Sequence, residues 1–246
     1  MLGPDVNNLD HLPLTLSLTN GFLRGCRTPH AEWVGPVPPW AQFSEFEERV
    51  LKVTAPTHDW GEAGKVGDVM WHLKTDEDEV QEALDLQDII LDVVPEYRRL
   101  PELRQVAEIL ADKQGETKLG RAFNTIERMG YMRTSLRAWE IRTQSDDPEL
   151  NGSLDFMSHQ PFCDHVPVLL ERAETYPATD AFLRDRLGRL LAVIEGHRDR
   201  VDELAPQYAR FTKEDDTRRE TFAEDFAATA RLLTDRYAVD GLPVSA

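Results

Sequence analysis

Apolar residues recur at steps of three and four from residue 44 onward, which is the spacing typical of amphipathic α-helices. The longest such series has heptad-like steps and consists of Leu183, Leu187, Leu190, Ile194, His197, Val201 and Leu204. A similar series near the end of the chain consists of Phe222, Phe226, Ala230, Leu233 and Tyr237. Two such helices, joined by a connection around Pro206, are expected to pack antiparallel.

Capping and helix-breaking residues set the predicted helix boundaries. Thr75 precedes an acidic run and is a suitable N-cap for a helix that Pro95 ends. Further helices are predicted over residues 101–115 and 117–144, from Asp164 onward, and over residues 179–204 and 214–238. The sequence therefore predicts an all-α protein in which residues 44–246 form a single bundle of about six to eight helices.

Residues 1–43 differ from the rest because they are rich in proline, which is tolerated in a helix only near its first turn. Within them, Leu12, Leu14, Leu16 and Leu18 alternate with other residues, which is the period of a half-buried strand. Asn20-Gly21 offers a tight turn, so a short hairpin is one alternative. We expect an extended arm whose leucines pack on the helical body or on a second subunit.

Composition narrows the classes of partner and the cellular location. The chain has 246 residues with 28 Lys and Arg against 45 Asp and Glu, a net charge of −17. Nucleic acids and anionic membranes bind clustered positive charge, so neither is expected as a partner. Two cysteines are too few for a disulfide-rich scaffold or a four-cysteine zinc site. With no signal-like start and no long apolar run, a cytoplasmic protein is expected.

His197 is the first candidate for chemistry, because it occupies an otherwise aliphatic helix face. Burial favours the neutral imidazole, whose free nitrogen is a ligand for haem iron or for a non-haem metal. Its helix resembles the proximal-histidine helix of the indoleamine and tryptophan dioxygenase superfamily, and the resemblance implies an iron-ligand role for His197. The alternative is a core histidine that is hydrogen-bonded to its neighbours.

A second candidate metal site is the segment from His159 to His165. His159, Cys163 and His165 are three ligand types within seven residues, although their spacing matches no strong zinc pattern. The segment is expected in a break between helices, where Cys163 would lie close to a helix N-terminus. The alternative is a structural loop that Phe162 anchors in the core.

Basic residues concentrate on the predicted 117–144 helix, whereas residues 76–96 carry acids and no Lys or Arg. Arg121, Arg128 and Arg133 are therefore candidates for binding a carboxylate, either on a substrate or on a haem propionate, through their forked donors. The alternative is ion pairing between the polar edges of two bundle helices, each pair contributing little.

Two acidic pairs suggest a different chemistry. Asp59 and Glu62, and further on Asp85 and Asp88, have spacings that suit Mg²⁺ bound to a triphosphate. The spacing resembles that of the all-α nucleotide pyrophosphohydrolases, with aspartates where that family usually has glutamates. The resemblance implies a Mg²⁺-dependent hydrolase.

These observations lead to three hypotheses. The first is an oxidoreductase with a haem or mononuclear iron centre in the bundle, acting on a small carboxylate-bearing, amino-acid-like metabolite. The second is a non-catalytic acidic protein that docks a basic protein partner or forms a homodimer. The third is the Mg²⁺-dependent pyrophosphohydrolase.

Overall fold

The computed structural model describes residues 8–63, 75–93, 101–112, 114–198, 200 and 218–238. Within these ranges the chain forms eight α-helices and no strand, so the predicted all-α class is confirmed. The helices are α1 Asn8–Arg27, α2 Glu45–Thr57, α3 Asp76–Val93, α4 Pro101–Ala111, α5 Lys118–Arg142, α6 Pro148–Arg172, α7 Pro177–Arg198 and α8 Arg218–Arg236. Two short 3₁₀ turns cover Pro39–Ala41 and His58–Ala63.

Helix α3 begins where its capping residue predicts. The Thr75 hydroxyl accepts a hydrogen bond from the Asp78 amide at 3.1 Å, and the Asp78 carboxylate accepts one from the Thr75 amide at 2.8 Å. This reciprocal pair satisfies two amides that a helix start leaves without intrahelical partners.

The predicted strand at Leu12–Leu18 is wrong, because these residues lie in α1 and the Asn20-Gly21 hairpin turn is replaced by helix. The buried face of this helix carries Thr15, Thr19, Phe22 and Cys26 at helical spacing, while the four leucines lie at its half-buried edges. The Thr15 and Thr19 hydroxyls donate hydrogen bonds to carbonyl oxygens one turn earlier, so neither hydroxyl is buried without a partner. Residues 28–38 remain non-helical, as their prolines predict.

The predicted break at His159–His165 is also wrong, because α6 continues through Pro161 and Pro167. Side chains of α5 donate to carbonyls near both prolines: Ser135 Oγ to Ser158 at 2.9 Å, and Arg128 to Asp164 at 3.3 Å. These bonds partly compensate for the amide donors that proline lacks. Asp164 is therefore a mid-helix residue rather than an N-cap.

The chain divides into two compact units. The N-terminal unit comprises Met1–Glu127 with Tyr176–Ala178, and the C-terminal unit comprises Arg128–Thr175 with Thr179–Ala246. The division falls within α5, and the domain boundary predicted after residue 43 stays a prediction.

In the N-terminal unit α2 packs against α1 and α4, and α3 packs against α4 and the 58–63 turn. A side chain at Gly61 would collide with the backbone of Glu82, so glycine permits this close approach of the turn to α3. The core of this unit includes Phe22, Val50, Leu51, Ala55, Val106, Phe123, Ile126 and Tyr176.

In the C-terminal unit α6 packs against α8. Its core includes Phe162, Val166, Leu169, Leu183, Leu190, Ile194, Phe226 and Leu233. His197 lies in the last turn of α7, on the face its spacing predicts, while Val201 and Leu204 lie outside the described residues. None of the helices in the described ranges is both long enough and apolar enough to cross a membrane.

Candidate metal centre

Three side chains of the N-terminal unit meet where α2 ends. His58 is the C-cap of α2, and Asp59 follows it in the 58–63 turn. His11 comes from the start of α1. The packing of α1 on α2 brings His11, which is 47 residues away in sequence from His58, to the end of α2. We call these three residues the His–His–Asp cluster.

The distances within this cluster match those of a metal site. His11 Nε2 lies 3.2 Å from His58 Nε2 and 3.5 Å from Asp59 Oδ2. His58 Nε2 lies 3.1 Å from Asp59 Oδ1. An ion at the zinc–nitrogen distance of about 2.0–2.1 Å separates tetrahedral ligand atoms by about 3.3 Å, and the observed values bracket this separation. Among the described residues, no other group of three His, Cys, Asp or Glu side chains brings its ligand atoms within 4.8 Å of one another.

A backbone hydrogen bond fixes which nitrogen of His58 faces the cluster as a ligand. His58 Nδ1 lies 2.8 Å from the Ala55 carbonyl oxygen. Because a carbonyl oxygen only accepts hydrogen bonds, Nδ1 carries the proton of the neutral ring. The lone pair is then on Nε2, directed at His11 and Asp59. Metal-binding histidines are commonly oriented in this way by a partner on their second nitrogen.

Burial favours the neutral form of the His58 ring. It is the largest influence on the pKa of His58 and lowers it below its ordinary value; Asp59 opposes this effect, and His11 adds to it. The His58 side chain is 3% exposed, against 18% for Asp59 and 28% for His11. The cluster is therefore held on its buried side and reaches solvent on the other.

Glu127 adds a second carboxylate beside the cluster. Its Oε1 lies 3.9 Å from His58 Nε2, but it does not belong to the group whose ligand atoms lie within 4.8 Å of one another. Glu127 is therefore a neighbour of the cluster rather than one of its three members. Phe123, one turn earlier on α5, packs edge-on against the His58 ring at 5.4 Å.

The residues predicted as metal ligands lie in the C-terminal unit. His159 and His197 have ring centroids 5.2 Å apart, and Cys163 Sγ lies 3.8 Å from His159 Nδ1. Both histidines are buried among aromatic rings, with Trp139 against His197 at 4.7 Å and Phe226 stacked on His159 at 4.6 Å. Among the described residues, these two histidines and Cys163 do not form a group of three whose ligand atoms all lie within 4.8 Å of one another.

The hydrogen bonds of His197 define its tautomer. The Ser158 hydroxyl donates its proton to the Asp155 carbonyl oxygen at 3.0 Å. His197 Nε2, 3.1 Å from the same hydroxyl, therefore donates to it. Nδ1 then holds the lone pair, and it has no hydrogen-bond partner among the described residues.

His165 and the three predicted arginines have other neighbours. His165 Nδ1 accepts a hydrogen bond from Arg128 at 2.9 Å, and its ring stacks on Tyr131 at 5.0 Å. Burial and the Arg128 charge lower the pKa of His165 to about 3. Arg121 lies over the Trp40 ring at 5.7 Å, and Arg133 is exposed. Carboxylate binding by Arg121, Arg128 and Arg133, and metal binding by His159, Cys163, His165 and His197, stay predictions.

The acidic pairs are divided between different environments. Asp59 belongs to the His–His–Asp cluster, whereas Asp85 is buried and accepts a hydrogen bond from Gln81 at 2.8 Å. Asp88 is exposed. The Mg²⁺ hypothesis that rests on these pairs stays a prediction.

The sequence matches no protein-family model, no curated protein and no solved structure.

The sequence alone does not indicate that His11 and His58 are ligands. His11 lies in the segment that the sequence predicts to be extended, and such a segment gives it no fixed neighbours. The adjacent His58-Asp59 pair is the one local signal, and the acidic-pair pattern uses only Asp59 of it.

Proposed function

We propose that the protein is a mononuclear zinc-dependent enzyme with His11, His58 and Asp59 as its metal ligands. The observation that carries this proposal is the convergence of two imidazole nitrogens and a carboxylate at separations of 3.1 to 3.5 Å. Three protein ligands with one solvent-facing side are typical of catalytic rather than structural zinc sites, which use four protein ligands.

A zinc ion held by these three residues would have room for a water molecule on the solvent-facing side of the cluster. A zinc ion lowers the pKa of a bound water to about 7, which supplies a hydroxide nucleophile at neutral pH. Glu127 Oε1 lies 3.9 Å from His58 Nε2, so its carboxylate would be close enough to accept a hydrogen bond from such a water and orient it. We therefore propose a hydrolytic reaction.

An iron-dependent oxidoreductase is the second candidate, because two histidines and one carboxylate also bind mononuclear non-haem Fe(II). In this alternative, the iron centre expected from the sequence would be bound by the His–His–Asp cluster instead of by His197. Haem at His197 would use Nδ1 as the ligand atom, since Nε2 is held by Ser158.

Metal titration of the purified, chelator-treated protein tests this proposal. We expect one Zn²⁺ per chain, and one Co²⁺ with the visible absorption of a tetrahedral site. Loss of an outer-shell partner typically weakens metal binding by about 10–100-fold. His11→Ala removes a direct ligand and should weaken Zn²⁺ binding by more than this. His11 is the most exposed ligand, so this change should leave the fold intact.

His30→Ala is the matched control, because it removes another partly buried histidine of the same unit outside the cluster. Tighter binding of Fe(II) than of Zn²⁺ favours the oxidoreductase, and an intense absorption band near that of haem in the purified protein favours haem. If the protein binds none of these, the proposal is wrong and the acidic interaction protein becomes the better hypothesis.

A further inference from the structure

Helix α7 carries two arginines, Arg186 and Arg189, that each have an N–H donor without a hydrogen-bond acceptor among the described residues. Arg186 and Arg189 are three residues apart and so lie on one helix face. The Arg186 guanidinium lies 4.0 Å over the Phe182 ring and donates to the Phe182 carbonyl oxygen at 3.2 Å. The Nε atoms of both arginines are buried, and neither has a hydrogen-bond partner among the described residues.

Helix α5 adds further positive charge beside them. A side chain at Gly196 would collide with the Trp139 ring, so α7 approaches α5 closely. Arg189 pairs with Glu140 of α5 at 2.6 Å. Arg133 is two turns before Glu140 and therefore lies on the same side of α5.

The carboxylates in this region do not balance these charges. Glu140 is shared between Arg189 and Arg137, at 2.6 and 3.4 Å. Within the described part of the chain no carboxylate is paired with Arg186 or Arg133, although the charge of Asp185 acts on Arg186. Burial is the main cause that lowers the pKa of Arg186, and the charges of Arg189 and Arg133 lower it further.

An anion would relieve this arrangement, because arginine stays charged in proteins and cannot escape like-charge repulsion by losing its proton. Guanidinium groups from two helices can approach a tetrahedral oxyanion from several directions, each with paired N–H donors. A planar carboxylate offers two oxygens, whereas phosphate offers more oxygens and up to two negative charges.

We propose that Arg133, Arg186 and Arg189 form a binding site for an oxyanion of the phosphate class. The site lies entirely within the C-terminal unit and does not depend on the proposed metal centre. Its ligand is either free phosphate or the phosphoryl group of a small molecule.

Calorimetric titration with inorganic phosphate at constant ionic strength tests the site. We expect a dissociation constant below about 1 mM that rises at least about tenfold in Arg186→Gln, which removes charge-assisted hydrogen bonds. Arg133→Gln, an exposed change with little effect on folding, should weaken binding in the same direction. Arg231→Gln removes the same charge from an exposed position of α8 and should leave binding unchanged.

A second titration with methyl phosphate distinguishes the two sources of the anion. Comparable binding of both compounds identifies a phosphoryl-group site, and binding of inorganic phosphate alone identifies a free-ion site. The proposal is overturned if the protein binds no phosphate, if succinate binds more tightly, or if Arg186→Gln and Arg133→Gln both bind as the unsubstituted protein does.

Discussion

Each of the two units contains a pair of histidines in ring contact, and the pairs differ in what surrounds them. The ring centroids are 5.3 Å apart for His11 and His58 and 5.2 Å apart for His159 and His197. The first pair has a carboxylate within 3.5 Å of its nitrogens and an edge in solvent. The second pair is at most 1% exposed and is packed among aromatic rings.

Ring proximity and burial therefore do not define a ligand site. A cation needs lone pairs directed at one point and negative charge to offset its own, and a catalytic ion also needs access for substrate. The His–His–Asp cluster has these features. The aromatic surroundings of His159 and His197 support the alternative of core histidines.

Removing one histidine from each pair should give opposite results, and this is the largest effect we expect. His58→Ala should abolish measurable Zn²⁺ binding, because it deletes the best-oriented ligand. His197→Ala should leave Zn²⁺ binding unchanged and lower the free energy of unfolding by about 2–4 kcal/mol, as is typical of a core cavity. Zinc titration and denaturant unfolding of both variants provide the measurement. Loss of Zn²⁺ binding in His197→Ala would contradict the division of roles.

The buried pair should also make stability fall in mild acid. Burial is the main reason why the pKa of His197 is lowered to about 4. The pKa of a histidine in the unfolded chain is about 6.5. Between these values the unfolded chain binds a proton that the native state does not, so the free energy of unfolding falls as the pH falls. At pH 5 this amounts to about 2 kcal/mol for one histidine.

His197→Gln removes this titration and retains an amide donor for Ser158. The loss of stability between pH 7 and pH 5 should therefore be smaller by about 2 kcal/mol in the variant. Denaturant unfolding at the two pH values measures this difference. Equal losses in the two proteins would show that His197 does not titrate differently on unfolding.

The smallest effect concerns Glu127, which lies beside the metal ligands rather than among them. Glu127→Gln should weaken Zn²⁺ binding by about tenfold, the lower end of the range for outer-shell partners. Glu116→Gln, an exposed change in the same unit, is the matched control. Complete loss of binding in Glu127→Gln would instead make Glu127 a direct ligand and enlarge the cluster to four.

Local sequence signals predict most of the helices, but they do not predict α1 or the continuation of α6 through its prolines. Thr75 and the spacing of Leu183, Leu190 and Ile194 act within one helix, so they can be recognised in a single sequence. Helix α1 depends on tertiary packing of Thr15, Thr19 and Phe22, which outweighs the alternation of its leucines. Helix α6 depends on donors from α5, and sequence near Pro161 does not reveal them.

The sequence does not predict the His–His–Asp cluster, because the cluster also depends on tertiary packing. His11 and His58 are 47 residues apart, and only the packing of α1 on α2 brings their nitrogens within 3.2 Å. His197 could be predicted to be buried because helical periodicity reports burial. Periodicity does not report whether the ligand atoms of several elements converge.

The two cysteines have a practical consequence for studying the protein. Burial raises the pKa of Cys26 to about 12, and burial together with Asp164 and Asp225 raises that of Cys163 well above its ordinary value. Thiol-modifying reagents attack the thiolate, so both native side chains should react slowly at neutral pH. The native cysteines should therefore contribute little labelling of their own. A cysteine introduced at an exposed position, such as Val34, can be labelled selectively with a spectroscopic probe without replacing either native residue.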